Sequence, residues 1–67
     1  MSQRNYQEVK QELEGHMVKV ITYQIESQHH CHVEIVDPGA VIARGSGNSL
    51  EEAKATALAK AQSRLSK

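Results

Sequence analysis

The hydrophobic pattern of this 67-residue chain starts with helical spacing, changes to alternation and returns to helical spacing. Tyr6, Val9 and Leu13 recur at intervals of three and four, which is typical of one face of an α-helix. Gly15 follows at the place where a left-handed C-terminal cap is expected. The first part of the chain therefore predicts a helix over residues 2–14.

The middle of the chain alternates between apolar and polar positions and is rich in β-branched residues, which indicates β-strands. It predicts three strands, over residues 17–26, about 30–37 and 40–45. Asp37-Pro38-Gly39, between the last two, is a strong turn signal because Pro presets φ and Gly accepts a positive φ. So short a connection makes these two strands antiparallel neighbours.

The last part of the chain is rich in alanine and predicts a helix from Leu50 to about Ser66. Asn48 or Ser49 is placed to cap its N-terminus, after a glycine-containing connector. At 100° per residue, six small or apolar residues fall on one arc of about 140° and form a face suited to packing closely on a sheet. They are Leu50, Ala53, Ala57, Leu58, Ala61 and Leu65.

The predicted fold class is α+β, in the order α-β-β-β-α. A single domain over residues 1–67 has room for one three-stranded antiparallel sheet with both helices on one face. The chain contains no Phe and no Trp, so its core must be built from small aliphatic side chains. Folding a chain this short leaves much apolar surface exposed. A homodimer that buries the open sheet face would reduce that exposure.

Charge and cysteine content limit which classes of protein function fit the sequence. Eight basic and eight acidic residues give a formal net charge of +0, whereas nucleic-acid-binding domains usually carry a basic excess. Cys31 is the single cysteine, so no intrachain disulfide forms, and a reducing compartment is expected. No apolar run approaches the ~20 residues that span a bilayer. We therefore expect a cytoplasmic protein without a membrane partner.

A cluster of histidines around Cys31 suggests metal binding at first sight. Strand alternation, however, places Cys31 on the opposite face from His30 and His32, and a structural zinc site needs four converging ligands. No nucleophile with a base is visible, and the Gly45–Gly47 connector lacks the spacing and the Lys of a P-loop. The expectation is therefore no enzyme, no catalytic residue, no cofactor, no metal and no small-molecule substrate.

The C-terminal half resembles that of double-stranded RNA-binding domains. The resemblance is carried by the motif Gly45-x-Gly47-x-Ser49-x-x-x-Ala53-Lys54-x-x-Ala57-x-x-x-Ala61. In that family the third strand runs into a Gly-x-Gly-x-Ser connector, and an Ala-rich helix follows. The resemblance implies the α-β-β-β-α fold predicted above and, as a function, the binding of duplex RNA.

Several positions depart from that family's pattern. Where the family has paired lysines that grip phosphates, this chain has Leu50 and Glu51, and only the later Lys54 remains. The family's loop His is matched by His29, although the Gly-Pro before it is missing. A carboxylate facing a phosphate is repulsive, so duplex RNA is disfavoured as a partner. If RNA is bound, the candidate contacts are His29, Lys54, Lys60 and Arg64.

A second, weaker resemblance is to HicB-type antitoxins. Their pattern is a strand pair closed by a Pro-Gly turn, followed by Gly-x-(Thr/Ser)-x-Glu-Glu-Ala at a helix start. Residues 37–61 are similar to it, with Asp37-Pro38-Gly39 and the segment from Gly47 to Ala53. The predicted N-terminal helix is at odds with this family, which begins with a strand and has another strand after its helix.

The sequence thus favours a small non-catalytic interaction module with a fold like that of double-stranded RNA-binding domains, acting through protein contacts or self-association. The first alternative is a weak duplex-RNA binder, and the second is a partner-binding domain of the antitoxin type.

Overall fold

A computed structural model describes residues 4–37 and 39–66. Within them, a four-stranded antiparallel sheet is followed by one helix, and each strand pairs with the next in the order β1-β2-β3-β4. The elements are β1 (Arg4–Leu13), β2 (His16–Ile25), β3 (Gln28–Ile35), β4 (Ala40–Gly47) and α1 (Leu50–Leu65). The chain is therefore a small α+β protein with β-β-β-β-α order.

The predicted N-terminal helix over residues 2–14 is wrong, and with it the α-β-β-β-α fold class. Residues 4–13 form β1, which is antiparallel to β2, with Val9 opposite Val20. Val9 and Leu13 are four residues apart, a spacing that fits one helical face and also one face of a strand. Pairing with the apolar β2 decides in favour of the strand, because an isolated helix this short is marginal in water.

The two-residue turn between β1 and β2 explains why Gly15 was misread as a helix cap. Glu14 and Gly15 both have positive φ, 51° and 79°. Such a pair is typical of a type I′ hairpin turn, whose twist matches that of the flanking strands. Glu26, with φ of 57°, starts the next short turn. Pro38, in the predicted Asp37-Pro38-Gly39 turn, lies outside the described residues, as do residues 2–3 of the predicted helix.

The remaining elements are confirmed, with small shifts at their ends. The three predicted strands correspond to β2, β3 and β4, and the predicted C-terminal helix corresponds to α1. Ser49 is the N-cap of α1, and its hydroxyl accepts a hydrogen bond from the Glu52 amide at 3.1 Å. Glu52 in turn accepts one from the Asn48 amide at 2.8 Å. The reciprocal bonds fix where the chain turns from β4 into the helix.

The core lies between α1 and the β3–β4 half of the sheet. The helix contacts β4 and β3 extensively and β2 only slightly. All the buried apolar side chains are small: Val18, Val20, Cys31, Val33, Ala43, Ala53, Ala57 and Ala61. Because one helix of about 10 Å diameter covers only about two strands spaced 4.8 Å apart, most of the helix-side face of β1 is left uncovered, and Leu13 at its end packs against the core.

Gly45 sets how closely the helix approaches the sheet. A Cβ at this position would lie 2.7 Å from both the Ala53 carbonyl oxygen and the Ala57 amide nitrogen. These are backbone atoms of the helix, so they cannot move aside as the end of a flexible side chain can. Helix α1 therefore packs directly on the backbone of β4.

We predict that Gly45→Ala lowers the free energy of unfolding by about 1–3 kcal/mol, because α1 must lift from β4 to admit the methyl group. Ser46→Ala is the matched control, since Ser46 is exposed on the adjacent position of the same strand. Urea unfolding followed by circular dichroism measures both. Equal stability of the Gly45→Ala variant and the wild type would contradict the close packing.

Candidate binding surface

The face of the sheet opposite α1 is covered by no other element among the described residues. We call it the open face. Its side chains follow from strand alternation and pairing, because residues opposite each other in neighbouring strands share a face. They are Glu8, Lys10 and Glu12 from β1, Met17, Lys19, Ile21, Tyr23 and Ile25 from β2, His30, His32 and Glu34 from β3, and Val41, Arg44 and Ser46 from β4.

Apolar side chains are exposed among the charges of the open face. Met17 is 52% exposed and Val41 41% exposed. Tyr6, also 52% exposed, donates a hydrogen bond from its hydroxyl to Glu8 at 2.8 Å, and this bond raises the pKa of the tyrosine. Scattered apolar residues are common on protein surfaces. Met17 and Val41 share the open face with half-buried Ile21, whereas the equally exposed Val9 lies on the helix side of the sheet.

Three aromatic rings form a cluster at the centre of the open face. Tyr23 stacks on His30, its partner in the ladder, with ring centroids 5.3 Å apart and an interplanar angle of 19°. Tyr23 meets His32 edge to face, with centroids 5.2 Å apart. The Tyr23 hydroxyl and the His32 Nε2 also form a hydrogen bond of 3.0 Å. The cluster presents ring faces, ring edges and polar groups together, and such surfaces pack against other rings.

The charge environment of His32 favours its neutral form. Partial burial lowers the pKa of His32 below the ordinary value of 6.5, and the positive charge of Arg44 lowers it further. Glu34 acts in the opposite direction, and His30 adds a smaller lowering effect. At neutral pH the cluster is therefore uncharged at His32, and the positive charge beside it comes from Arg44.

Cationic side chains collect where β4 meets α1. A hollow of about 400 Å³ beside the aromatic cluster is lined by Arg44 and Lys60, among others. A second hollow, of about 310 Å³, is lined by Arg44, Lys60 and Arg64. We call the surface that these three cations line the basic groove. Neither hollow is lined by an acidic side chain, so an anion would meet no direct repulsion there.

The structure brings together only two of the four predicted RNA contacts. Lys60 and Arg64 share the basic groove. Lys54 is six residues from Lys60, which places it about 120° away around the helix axis, on the other flank of α1. His29 lies at the start of β3, opposite Gln24 and Gly47, and lines neither hollow.

Sequence reasoning missed Arg44 and the role of Tyr23. Arg44 was the one charged residue in a short apolar strand, but its place opposite His32 depends on the register of β3 against β4, which shifts between Val33 and Glu34. The contact of Tyr23 with His30 and His32 depends on the register of β2 against β3. A lone sequence does not specify that register until the turn at Glu26 is known.

The described part of the chain offers neither a cluster of metal ligands nor a membrane-spanning helix. Among residues 4–37 and 39–66, no three His, Cys, Asp or Glu side chains converge in a way that could hold a metal ion. The helix in that part of the chain is too short and too polar to cross a membrane.

Comparison with known proteins adds no relative: no family model matches the chain, and no curated protein or solved structure shows significant similarity to it.

We predict that His32 titrates below 6.5, and that Arg44→Gln raises its pKa part of the way back while Glu34→Gln lowers it further. The unfolded chain then takes up the proton at higher pH than the folded one. Stability should therefore fall as the pH drops through 6.5 and level off below the native pKa of His32.

NMR titration of the histidine ring protons measures these values in the three proteins. The two substitutions act as each other's control, because both remove one charge near the same ring. Shifts of the same sign in both variants would contradict the assigned electrostatics.

Proposed function

We propose that this chain is a small non-catalytic binding module that acts through protein contacts, first of all with a second copy of itself. The observation that carries the proposal is the open face, which spans all four strands and exposes Met17 and Val41 on the same face as half-buried Ile21. A thin core of valines, alanines and one cysteine stabilises the isolated fold only modestly. Burial of a second apolar surface would add to it.

Association through the face is favoured over association through a sheet edge. The β1 edge is interrupted by a register shift between Arg4 and Gln7, with Asn5 at a φ of 56°. Charged side chains at Glu8, Lys10 and Glu12 also follow this strand, and bulges and charges both discourage edge-to-edge pairing. Along the other edge strand, Arg44 of β4 and Lys60 and Arg64 of α1 line one hollow, so edge-to-edge pairing of two β4 strands would bring like charges together.

The resemblance to HicB-type antitoxins supports a partner-binding role of the same kind. The predicted N-terminal helix, which stood against that resemblance, is replaced by a strand, whereas the described residues contain no strand after α1. We keep a heterologous protein partner as the alternative occupant of the open face.

We predict that the protein forms a dimer in a concentration-dependent way and that Met17→Asp weakens the dimer at least about tenfold, because it places a charge within an apolar contact. Val9→Asp is the matched control: Val9 is equally exposed, at 52%, but lies on the helix side of the sheet. Sedimentation equilibrium measures both. A monomer at all concentrations would remove self-association, and equal effects of the two substitutions would remove the open face as its site.

A second candidate function is the binding of a phosphate polymer such as RNA. The observation that favours it is the basic groove, where Arg44, Lys60 and Arg64 line one surface without an acidic neighbour. Lysine and arginine contacts to phosphates give an affinity that falls steeply with salt. This mode differs from the one implied by the family resemblance, which relies on Lys54 at the helix start.

We predict that, if RNA is bound, Lys60→Glu with Arg64→Glu abolishes binding at low salt while Lys54→Glu, on the other flank of α1, has little effect. Fluorescence anisotropy with short duplex and single-stranded RNA, at two salt concentrations, makes the comparison. A loss confined to the Lys54→Glu variant would indicate the family-like mode, and absence of binding at low salt would exclude this candidate.

A further inference from the structure

We propose that two copies pack face to face through their open faces, related by a two-fold axis that runs parallel to the strands. The inference deepens the proposed self-association and rests on it. It commits to one occupant of the open face, a second copy of this chain, and to one arrangement of the two sheets. The order of charges across the sheet favours this arrangement, because it places opposite charges over one another.

The pairing of the strands defines rows of side chains across the open face. One row follows from Glu8 opposite Ile21, Ile21 opposite His32, and His32 opposite Arg44. It therefore runs from an acid at the β1 edge to a base at the β4 edge. The neighbouring row runs Lys10, Lys19, Glu34 and Val41. In that row, a base on β2 precedes an acid on β3.

A two-fold axis parallel to the strands reverses the order of the strands and keeps the height of each row. Strand β1 then faces β4 of the second copy, and β2 faces β3. Glu8 consequently lies over Arg44 of the second copy, and Lys19 lies over Glu34 of the second copy. Each contact occurs twice in the dimer. These two kinds of contact join opposite charges, whereas Lys10 lies over Val41 of the second copy.

The aromatic cluster fits the same arrangement. Tyr23 on β2 and His30 on β3 share a row, so Tyr23 of one copy faces His30 of the other. Ile21 likewise faces His32 of the second copy, which is biased toward its neutral form. Rings and Ile21 therefore meet in the middle of the interface. Of the two charge contacts, Glu8 with Arg44 lies on the edge strands, and Lys19 with Glu34 lies on the central strands, one row away.

The other simple symmetry gives a poorer match. A two-fold axis perpendicular to the strands sets each strand on its own copy. If it passes through the row of Lys10, Lys10 and Lys19 each face their own copy, and Glu8 faces Glu12. If it passes half a row away, Lys10 faces Glu8, but Lys19 and Arg44 face apolar residues. The first position brings like charges together, which costs free energy. The second sets two cations on apolar residues and forms one kind of opposite-charge contact, whereas the parallel axis sets only Lys10 on an apolar residue and forms two kinds, so the parallel axis is favoured.

The size of the open face is sufficient. The two longer Cα extents of the molecule are 34 and 18 Å, which match the strand length and the width of four strands. Their product suggests that two copies bury roughly 1,200 Å² together, at the lower end of the range for stable specific interfaces. Packed sheets twist by about 30°, which displaces the edge rows by about 4 Å, within reach of Glu and Arg side chains.

The test exchanges the charges of Glu8 and Arg44. Within one copy these residues are three strand spacings apart, about 14 Å, so they have no direct contact. We expect Glu8→Arg and Arg44→Glu each to raise the dimer Kd at least about tenfold, because each converts two attractive contacts into repulsive ones. The double variant should return to within about threefold of the wild type.

Mixing the two single variants gives a sharper result. A Glu8→Arg copy and an Arg44→Glu copy restore both contacts between them, so a one-to-one heterodimer should form although neither variant dimerises alone. Sedimentation velocity of the separate and mixed proteins measures this. Glu51→Arg is the control for net charge, because Glu51 is an exposed acid on α1 and lies outside the open face. Circular dichroism establishes that each variant is folded.

The outcomes separate this arrangement from the broader proposal. A wild-type dimer that Met17→Asp dissociates, but that the charge variants leave unchanged, overturns the parallel two-fold axis and keeps the open face as the contact. A wild-type monomer at all concentrations overturns both. A chain that stays monomeric until a heterologous protein occupies the open face also overturns the second copy as occupant.

Discussion

The direct contact between helix α1 and the backbone of β4 determines how the rest of the molecule is arranged. It needs a glycine at position 45 and alanines at 53 and 57, because any larger side chain would occupy the space that the backbones fill. A helix held this close to β4 and β3 cannot also cover β1. The fold is therefore a sheet of four strands with a helix over one half of one face, and its other face is left without a covering element among the described residues.

The polar and aromatic side chains of β3 lie on the uncovered face because the residues of the covered face pack against the helix. On β3, the residues that face the helix are Cys31 and Val33, both fully buried, while His30 and His32 point the other way. The aromatic cluster thus has a rigid base, since its strands are held by the ladder on both sides. Its neighbours are one cation at the β4 edge and acids at the β1 edge. The row of side chains that includes His32 therefore runs from negative charge at the β1 edge to positive charge at the β4 edge.

The parts of the fold that could be predicted are those whose sequence pattern favours one kind of secondary structure over the other. The alanines of α1 favour a helix, and the segment from Met17 to Ile25 favours a strand because alternation there coincides with many β-branched residues. The N-terminal segment has two readings, because Val9 and Leu13 are compatible with both periods. The strand forms because β2 offers it a partner, and that is a tertiary effect. The basic groove escaped prediction for a similar reason: Arg44 and Lys60 meet only after α1 docks on β4.

The buried position of Cys31 makes the reactivity of its thiol a probe of local opening between α1 and the sheet. The thiol is fully buried beneath α1, and burial raises its pKa, while the charge of Lys54 offsets part of that effect. A covered and protonated thiol reacts slowly with alkylating reagents, and the reaction speeds up when the helix moves away from the sheet. The rate of its modification under native conditions therefore reports how often α1 detaches, a local fluctuation that can be far more frequent than complete unfolding.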